Sequence, residues 1–277
     1  MRVFISADIE GVSGVVDRED AIIGGREYER ARRLMTADVN AAIAGAYEGG
    51  ATQVLVNDSH SKMRNLIVED LDPRMQVIQG AVKRGCMMEG LDERFDAVFF
   101  VGYHSRAGDP LGVMNHTMWS RGFQNLLLNG VPAGEIAINA AYAGQFGVPV
   151  ALVTGDQTAV HETQELLGAV ESAVTKQGMG RFTARLLSPS TGQELTRQAA
   201  RRALERLRDF KPYVLPAPVT MGFELTSSAM ADVCSWIPVV ERTGTRNVQY
   251  TFNDWRDGMG MMQVLMTLAR YYTNDMY

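Results

Sequence analysis

Three apolar segments of this chain each run directly into a side chain that can bind a metal ion. The segments are Val3–Asp8, Gln53–Asn57 and Asp96–Gly102. The potential ligands at or just beyond their ends are Asp8, Glu10, His60 and His104. In an open parallel α/β sheet the carboxyl ends of the strands lie along one edge, where ligands bind. The sequence therefore predicts that two carboxylates and two imidazoles converge there, as a hydrolytic site for one or two divalent metal ions, zinc first.

The two carboxylates are informative as a pair. Asp8 and Glu10 are two positions apart, so both side chains point to the same side of an extended chain. Carboxylates this close repel each other unless a cation lies between them. A solitary histidine after a strand is often structural, but the chain has only 4 histidines and two of them fall at the predicted edge. Asp58 is a further candidate, either as a ligand or as an acceptor that orients an imidazole, and we favour the second role.

Two more residues have roles that the sequence leaves open. His116 lies in a loop after His104, and a turn through Asp109 and Gly112 could fold it back over the site. It is either a general acid or base, a donor to a developing oxyanion, or a solvated loop residue. Glu135 begins an alanine-rich helical pattern, where an acidic residue in the first turn also stabilises the helix dipole.

Strand and helix patterns alternate through the first two thirds of the chain. Tyr28–Tyr47 has apolar residues at helical spacing, and Val148–Val153 has the composition of a buried strand. This alternation predicts an α/β fold with a mainly parallel sheet flanked by helices. The composition changes near position 189, so we predict a metal-binding catalytic domain at residues 1–189 and a smaller C-terminal α+β unit at residues 190–277. Other predicted elements are strands 123–128, 220–225 and 247–252 and helices 135–146, 193–210 and 254–272.

Charge and composition exclude several classes of function. The net charge is −5 without a basic block, so neither nucleic acid nor an anionic membrane surface is an expected partner. No apolar run approaches the roughly 20 residues that span a bilayer. The first residues resemble a strand rather than a signal peptide, and the 2 cysteines lack metal-binding or disulfide spacing. We expect a cytoplasmic protein with reduced thiols.

Five blocks of sequence, in order along the chain, resemble the zinc-dependent D-aminopeptidase family, peptidase family M55. The blocks are Ser6–Gly14, Val54–Met63, Gly102–Ala107, Gly112–Met118 and Gly134-Glu135. The run Asn-Asp-Ser-His-Ser-Lys-Met within the second block is specific. The resemblance covers essentially the whole chain. It implies a site for two zinc ions per subunit and a catalytic role for His116. The ligands that it implies are Asp8, Glu10, His60, His104 and Glu135.

The same resemblance implies an activity and an assembly. We expect an aminopeptidase that removes the N-terminal residue, with preference for D-residues, from a short peptide substrate. We also expect a homo-oligomer, a decamer of two pentameric rings. Two alternatives stay open: a two-metal hydrolase of another amide or a phosphoester, and a metal-stabilised ring protein that binds peptides without turnover.

Overall fold

The computed structural model of the protein describes residues 1–275 and contains two sheets with helices packed on them. The strands are β1 (Arg2–Ala7), β2 (Gln53–Asp58), β3 (Gln76–Ile78), β4 (Ala97–Tyr103), β5 (Phe123–Leu128), β6 (Val131–Pro132), β7 (Val150–Asp156), β8 (Glu171–Gly180), β9 (Thr183–Leu186), β10 (Val219–Leu225), β11 (Glu241–Arg242) and β12 (Asn247–Phe252). The helices are α1 (Arg18–Ala21), α2 (Tyr28–Glu48), α3 (Glu135–Gln145), α4 (Gln157–Leu167), α5 (Pro189–Glu205), α6 (Ser228–Cys234) and α7 (Trp255–Arg270). Within residues 1–275, none of these helices has the length and apolarity needed to cross a bilayer.

The larger sheet has seven strands in the order β3-β2-β1-β4-β7-β8-β9. Its strands are parallel except β9, which pairs antiparallel with β8. The central strands are buried on both faces because their side chains alternate between two separate apolar cores. In β4, Val98 and Phe100 face one core, and Phe99 and Val101 face the other. The predicted α/β class is confirmed.

The smaller sheet is antiparallel, with five strands in the order β11-β12-β10-β5-β6. Asn129 and Gly130 join β5 to β6 with φ values of 50° and 83°, as a two-residue hairpin turn requires. This sheet combines strands from residues 123–132 with strands from the last third of the chain. Conversely, α5 packs against α2 and β8, which both come before it in the chain. The predicted domain boundary between residues 189 and 190 stays a prediction, and these packed elements lie on both sides of it.

Most predicted elements are present with shifted ends. The predicted helix 193–210 begins instead at Pro189, because Ser188 caps it by accepting a hydrogen bond from the amide of Thr191. The hairpin formed by β8 and β9 was not predicted. Its sequence mixes lysine, glutamine and glycine into the alternating pattern, so that it does not stand out as a pair of strands.

The register of the larger sheet brings three strand ends level with one another. Ala7, the last residue of β1, pairs with Asp58 of β2 and with Val101 of β4. Beyond it, Gly102 adopts φ +73°, and a Cβ there would lie 2.3 Å from the carbonyl oxygen of Asp8. Glycine is therefore required for β1 and β4 to approach this closely at the edge.

Replacing Gly102 by alanine tests this close approach. We expect Gly102→Ala to lower the free energy of unfolding by about 2–5 kcal/mol, because it combines left-handed backbone strain with overpacking. Gly147→Ala is the matched control, since Gly147 has φ +72° and a Cβ added there would meet nothing within 4 Å. Backbone strain alone predicts a loss of about 1–2 kcal/mol there. Urea unfolding followed by circular dichroism measures both, and equal midpoints for the two variants would contradict the argument.

Candidate metal centre

The residues predicted to bind metal lie together at the carboxyl edge of the larger sheet. Asp8, Glu10, His104 and Glu135 are buried, and the His60 side chain is 11% exposed. They lie in or directly beneath the floor of a cavity of about 440 Å³. The strand ends therefore deliver distant parts of the sequence to one place, as predicted.

His60 is held by the segment that comes after β1. Its Nε2 lies 2.8 Å from the carbonyl oxygen of Ala21, the last residue of α1. A carbonyl oxygen can only accept, so Nε2 carries the hydrogen and Nδ1 points the other way. Nδ1 lies 3.2 Å from Asp8 Oδ1 and 3.1 Å from Glu10 Oε2. One nitrogen of His60 therefore faces two carboxylates.

His104 repeats this arrangement on the other side of Asp8. Its Nδ1 lies 2.9 Å from the carbonyl oxygen of Ser105, which fixes the hydrogen on Nδ1. Its Nε2 lies 3.4 Å from Asp8 Oδ2 and 3.4 Å from Glu135 Oε1. Each histidine is thus oriented by a backbone carbonyl, as is usual for imidazole ligands of metals.

The spacing of these atoms fits metal ligands. Two donors about 2.0–2.1 Å from a tetrahedral zinc ion lie about 3.3 Å apart, and the nitrogen-to-oxygen distances here are 3.1–3.4 Å. Three buried atoms, Asp8 Oδ2, Glu10 Oε2 and His104 Nε2, form no hydrogen bond within the described part of the chain. Buried polar atoms are almost always paired, so three such atoms facing one another suit a shared cation. The donor set fits zinc.

The electrostatics of the site lead to the same conclusion. Burial, with the charge of Glu10 adding to it, raises the pKa of the Asp8 carboxyl to about 7. Burial alone would lower the pKa of both histidines, but the charge of Glu10 raises the pKa of His60 well above its usual value, and Glu135 does the same for His104. The carboxylates therefore draw positive charge into the space between them, whether as protons or as a metal ion.

Glu135 and His116 meet on the far side of His104. Glu135 is the first residue of α3, and its Oε1 accepts a hydrogen bond of 2.7 Å from the amide of Met118. The His116 ring stacks on the His104 ring with centroids 4.2 Å apart, and its Nε2 lies 3.7 Å from Glu135 Oε1. The donor atoms of these three side chains all lie within 4.8 Å of one another.

The structure places His116 at the site rather than in solvent, with its side chain 17% exposed. Its Nδ1 donates to the carbonyl of Met114 over 2.9 Å, which leaves Nε2 toward the cavity. Burial, reinforced by the charge of His104, lowers the pKa of His116. A neutral imidazole with a free nitrogen at the cavity can accept a proton.

Two buried lysines hold the loops that carry the donors, and sequence reasoning missed both. Lys176 Nζ donates to the carbonyls of Glu10, Val12 and Val15 in the loop after β1. Lys83 Nζ donates to the carbonyl of Asp58 and to the Asn57 side chain, both over 2.7 Å. Burial lowers the pKa of each lysine to about 8. Nothing in the local sequence distinguishes either residue from a surface lysine.

The interpretation of Asp58 as the acceptor that orients an imidazole is wrong. Its carboxylate instead accepts hydrogen bonds from the amides of Asn65 and Leu66 and from the side chain of Gln79. It therefore closes the loop that comes after β2. The orienting acceptors are the backbone carbonyls described above, which no side-chain pattern reveals.

Known D-aminopeptidases match this chain over nearly its whole length. A profile of the D-aminopeptidase family, Peptidase M55, matches residues 1–264. A D-aminopeptidase from Bacillus subtilis (strain 168) is 40% identical over 270 residues, which cover 97% of this chain and 98% of the relative. A solved structure described as the Zn-dependent D-aminopeptidase DppA from Bacillus subtilis, a self-compartmentalizing protease, superposes with a TM-score of 0.94 at 39% identity. That superposition covers 98% of each chain.

Proposed function

The chain belongs to the M55 family of D-aminopeptidases, and from that premise we propose that it is a zinc-dependent aminopeptidase that removes the N-terminal residue of short peptides, with preference for D-residues. The observation that carries this proposal is the pair of oriented histidines on either side of Asp8. Each directs one nitrogen at two carboxylate oxygens over 3.1–3.4 Å. A set of nitrogen and oxygen donors with this spacing is typical of hydrolytic zinc sites.

We propose that the site holds two zinc ions per subunit and that Asp8 bridges them. These contacts form two donor groups that share Asp8: His60 Nδ1 faces Asp8 Oδ1 and Glu10 Oε2, whereas His104 Nε2 faces Asp8 Oδ2 and Glu135 Oε1. A single carboxylate that directs one oxygen into each group can serve both ions. The geometry supports Asp8 in this role more directly than Glu10, because Asp8 has an oxygen within 3.4 Å of each of the two histidines.

Zinc held by these donors would supply a water molecule whose pKa is lowered to about 7 and would polarise the scissile carbonyl. The protein's own groups handle the protons and the substrate amine. His116 Nε2 takes up a proton at the cavity and passes it to the departing amine nitrogen. Glu10, one of the zinc donors, also accepts a hydrogen bond from the substrate amine. Although burial alone would raise the pKa of its carboxyl, the charge of His60 lowers that pKa well below the usual value, so the carboxyl is ionised.

Dipeptide hydrolysis with and without a chelator tests this function. We expect D-Ala-D-Ala to be cleaved with a kcat/KM about tenfold or more above that for L-Ala-L-Ala. A chelator should abolish turnover because the donors alone cannot activate water, and added zinc should restore it. Metal analysis of the purified protein should give two ions per chain.

Each rival makes a different prediction for the same assay. Chelator-sensitive cleavage of p-nitrophenyl phosphate without cleavage of either dipeptide would favour the phosphoester hydrolase. The absence of chelator-sensitive turnover on all three compounds would favour the metal-stabilised binding protein. Arg106, two residues after His104, is exposed and donates a hydrogen bond to the carbonyl of Ala107, so it gives no support to a phosphoester hydrolase.

Two histidine substitutions separate a ligand from a proton carrier. His60→Ala should lose bound zinc and activity together, because one donor group is left with carboxylates only. His116→Ala should retain its zinc but lose turnover by about 10²–10⁴-fold, the usual contribution of general acid or base catalysis. His161→Ala is the control, since this imidazole is 72% exposed on α4. Zinc analysis and kcat measured on the same samples decide the matter: full metal occupancy in His60→Ala, or zinc loss in His116→Ala, would contradict these roles.

We further propose that the chain assembles as a decamer of two pentameric rings in the cytoplasm. The solved relative is described as self-compartmentalizing. In this chain, apolar side chains at helical spacing on the outer face of α7 and its continuation are exposed: Val264 by 46%, Leu268 by 40% and Tyr271 by 79%. A stripe of this kind is typical of an interface. Both cysteines are free and buried, as expected of a reducing compartment.

Mass measurement of the native assembly tests this arrangement. The wild-type protein should give the mass of ten chains. Leu268→Arg should shift the distribution to smaller species, because a charge would be buried at an apolar contact. Gln198→Arg, on the exposed face of α5, is the control and should leave the mass unchanged. A monomeric wild-type protein would contradict the proposal.

A further inference from the structure

The cavity above the metal centre has a wall that carries positive charge. Its floor is formed by the carboxylates and imidazoles described above. Its upper wall carries four arginines, here called the arginine rim: Arg18, Arg121, Arg181 and Arg270. All four are exposed. Within residues 1–273, none of them forms an ion pair with a carboxylate.

Several arginines elsewhere in this acidic chain pair with carboxylates. Arg197 pairs with both Glu48 and Glu194, and Arg206 pairs with Glu171 and Asp209. The net charge of −5 means that acidic groups outnumber basic ones. Four guanidinium groups around one cavity, each without an acidic partner in the described structure, therefore leave that wall with uncompensated positive charge.

Two rim arginines are attached to the loop that carries His116. The carbonyl of Arg181, at the tip of the β8–β9 hairpin, accepts a hydrogen bond of 2.7 Å from the amide of Met114. Arg121 comes shortly after Met118, whose amide donates to Glu135. The backbone at Arg181 is therefore hydrogen-bonded to the loop that carries His116, and Arg121 lies close in sequence to a backbone amide that binds Glu135.

The other two rim arginines lie on different elements that also reach the site. Arg18 begins α1, the helix whose last carbonyl, that of Ala21, holds His60. Arg270 ends α7, and its guanidinium carbon lies 5.6 Å above the ring of Trp119. The rim is thus assembled from separate parts of the chain, all of which face the same cavity.

We propose that the arginine rim binds the C-terminal carboxylate of the peptide whose N-terminal ammonium group and scissile bond lie at the metal centre. This inference rests on the proposed function and names the substrate class: short peptides with a free carboxylate. When the N-terminal amine and the scissile bond of a short peptide lie at the metal centre, its negatively charged C-terminal end is left to face the positively charged rim. Guanidinium groups bind carboxylates in pairs of parallel hydrogen bonds, which adds direction to the charge attraction. The cavity volume of about 440 Å³ is that of a site for a small ligand.

The carboxylate requirement can be measured by removing the charge from the substrate. With wild-type enzyme we expect kcat/KM for D-Ala-D-Ala to exceed that for D-alanyl-D-alaninamide by about tenfold or more, the usual range for a hydrogen bond to a charged group. The difference should lie mainly in KM, because the carboxylate contact is made equally in the ground and transition states.

Substitutions of the rim arginines test whether the rim causes this difference in kcat/KM between the free acid and the amide. Each rim arginine is replaced in turn by methionine, and a fourfold variant replaces all of them. The fourfold variant should hydrolyse the free acid and the amide with equal kcat/KM, while its kcat on the amide stays near that of wild type. Arg185→Met is the control: Arg185 is on β9 of the same hairpin as Arg181 but does not line the cavity. The urea midpoint of each variant checks that it is folded.

A binding measurement on the zinc-loaded protein separates failure of this inference from failure of the proposed function. The probe is a dipeptide analogue with a methylene amine in place of the scissile amide, as free acid and as carboxamide. Tighter binding of the acid that disappears in the fourfold variant supports the rim, whether or not peptides are cleaved. Equal binding of acid and amide to wild type overturns it. Chelator-sensitive turnover with equal kcat/KM for both substrates overturns the rim and leaves the aminopeptidase function intact.

Discussion

The structure depends on one constraint: three carboxylates are buried around a small space that lacks enough hydrogen-bond donors for their oxygens. Burial opposes their ionisation, and their mutual repulsion adds to that cost. The pKa of Asp8, raised to about 7, is the direct sign of this conflict. Two imidazoles reduce the conflict without removing it, because each offers one nitrogen to two carboxylates. Bound zinc would neutralise the remaining negative charge.

The rest of the fold keeps these donors in place. The parallel register sets the ends of β1, β2 and β4 level, and a glycine at position 102 lets the first and third of them approach closely. Lys176 and Lys83 then fix the loops beyond the strands by donating to backbone carbonyls. Backbone groups, rather than side chains, orient both histidines. Because these lysines and backbone groups hold the donors, the donors are already positioned before metal or substrate binds.

The charged side chains that line the cavity also act on the substrate. The basic upper wall attracts the negatively charged terminus of a peptide whose amine lies at the metal centre. A peptide short enough to place both ends at once makes both contacts, whereas a blocked peptide loses one of them. If family members form closed assemblies, enclosure selects for size, and the charge pattern within each subunit adds selection for free termini.

The sequence by itself predicted the strands and the candidate metal ligands at their ends. The apolar runs within 3–8 and 96–102 are typical of strands covered on both faces, and such strands direct the residues after them to one edge. Tertiary structure alone decided which chemistry surrounds those ligands. The roles of Lys176, the rim arginines and the carbonyl of Ala21 depend on contacts between segments far apart in the chain. The antiparallel pairing of β5 with β10 is of the same kind. Local patterns report whether a residue prefers to be buried, but not which partner it meets, because that choice is made when distant segments pack together.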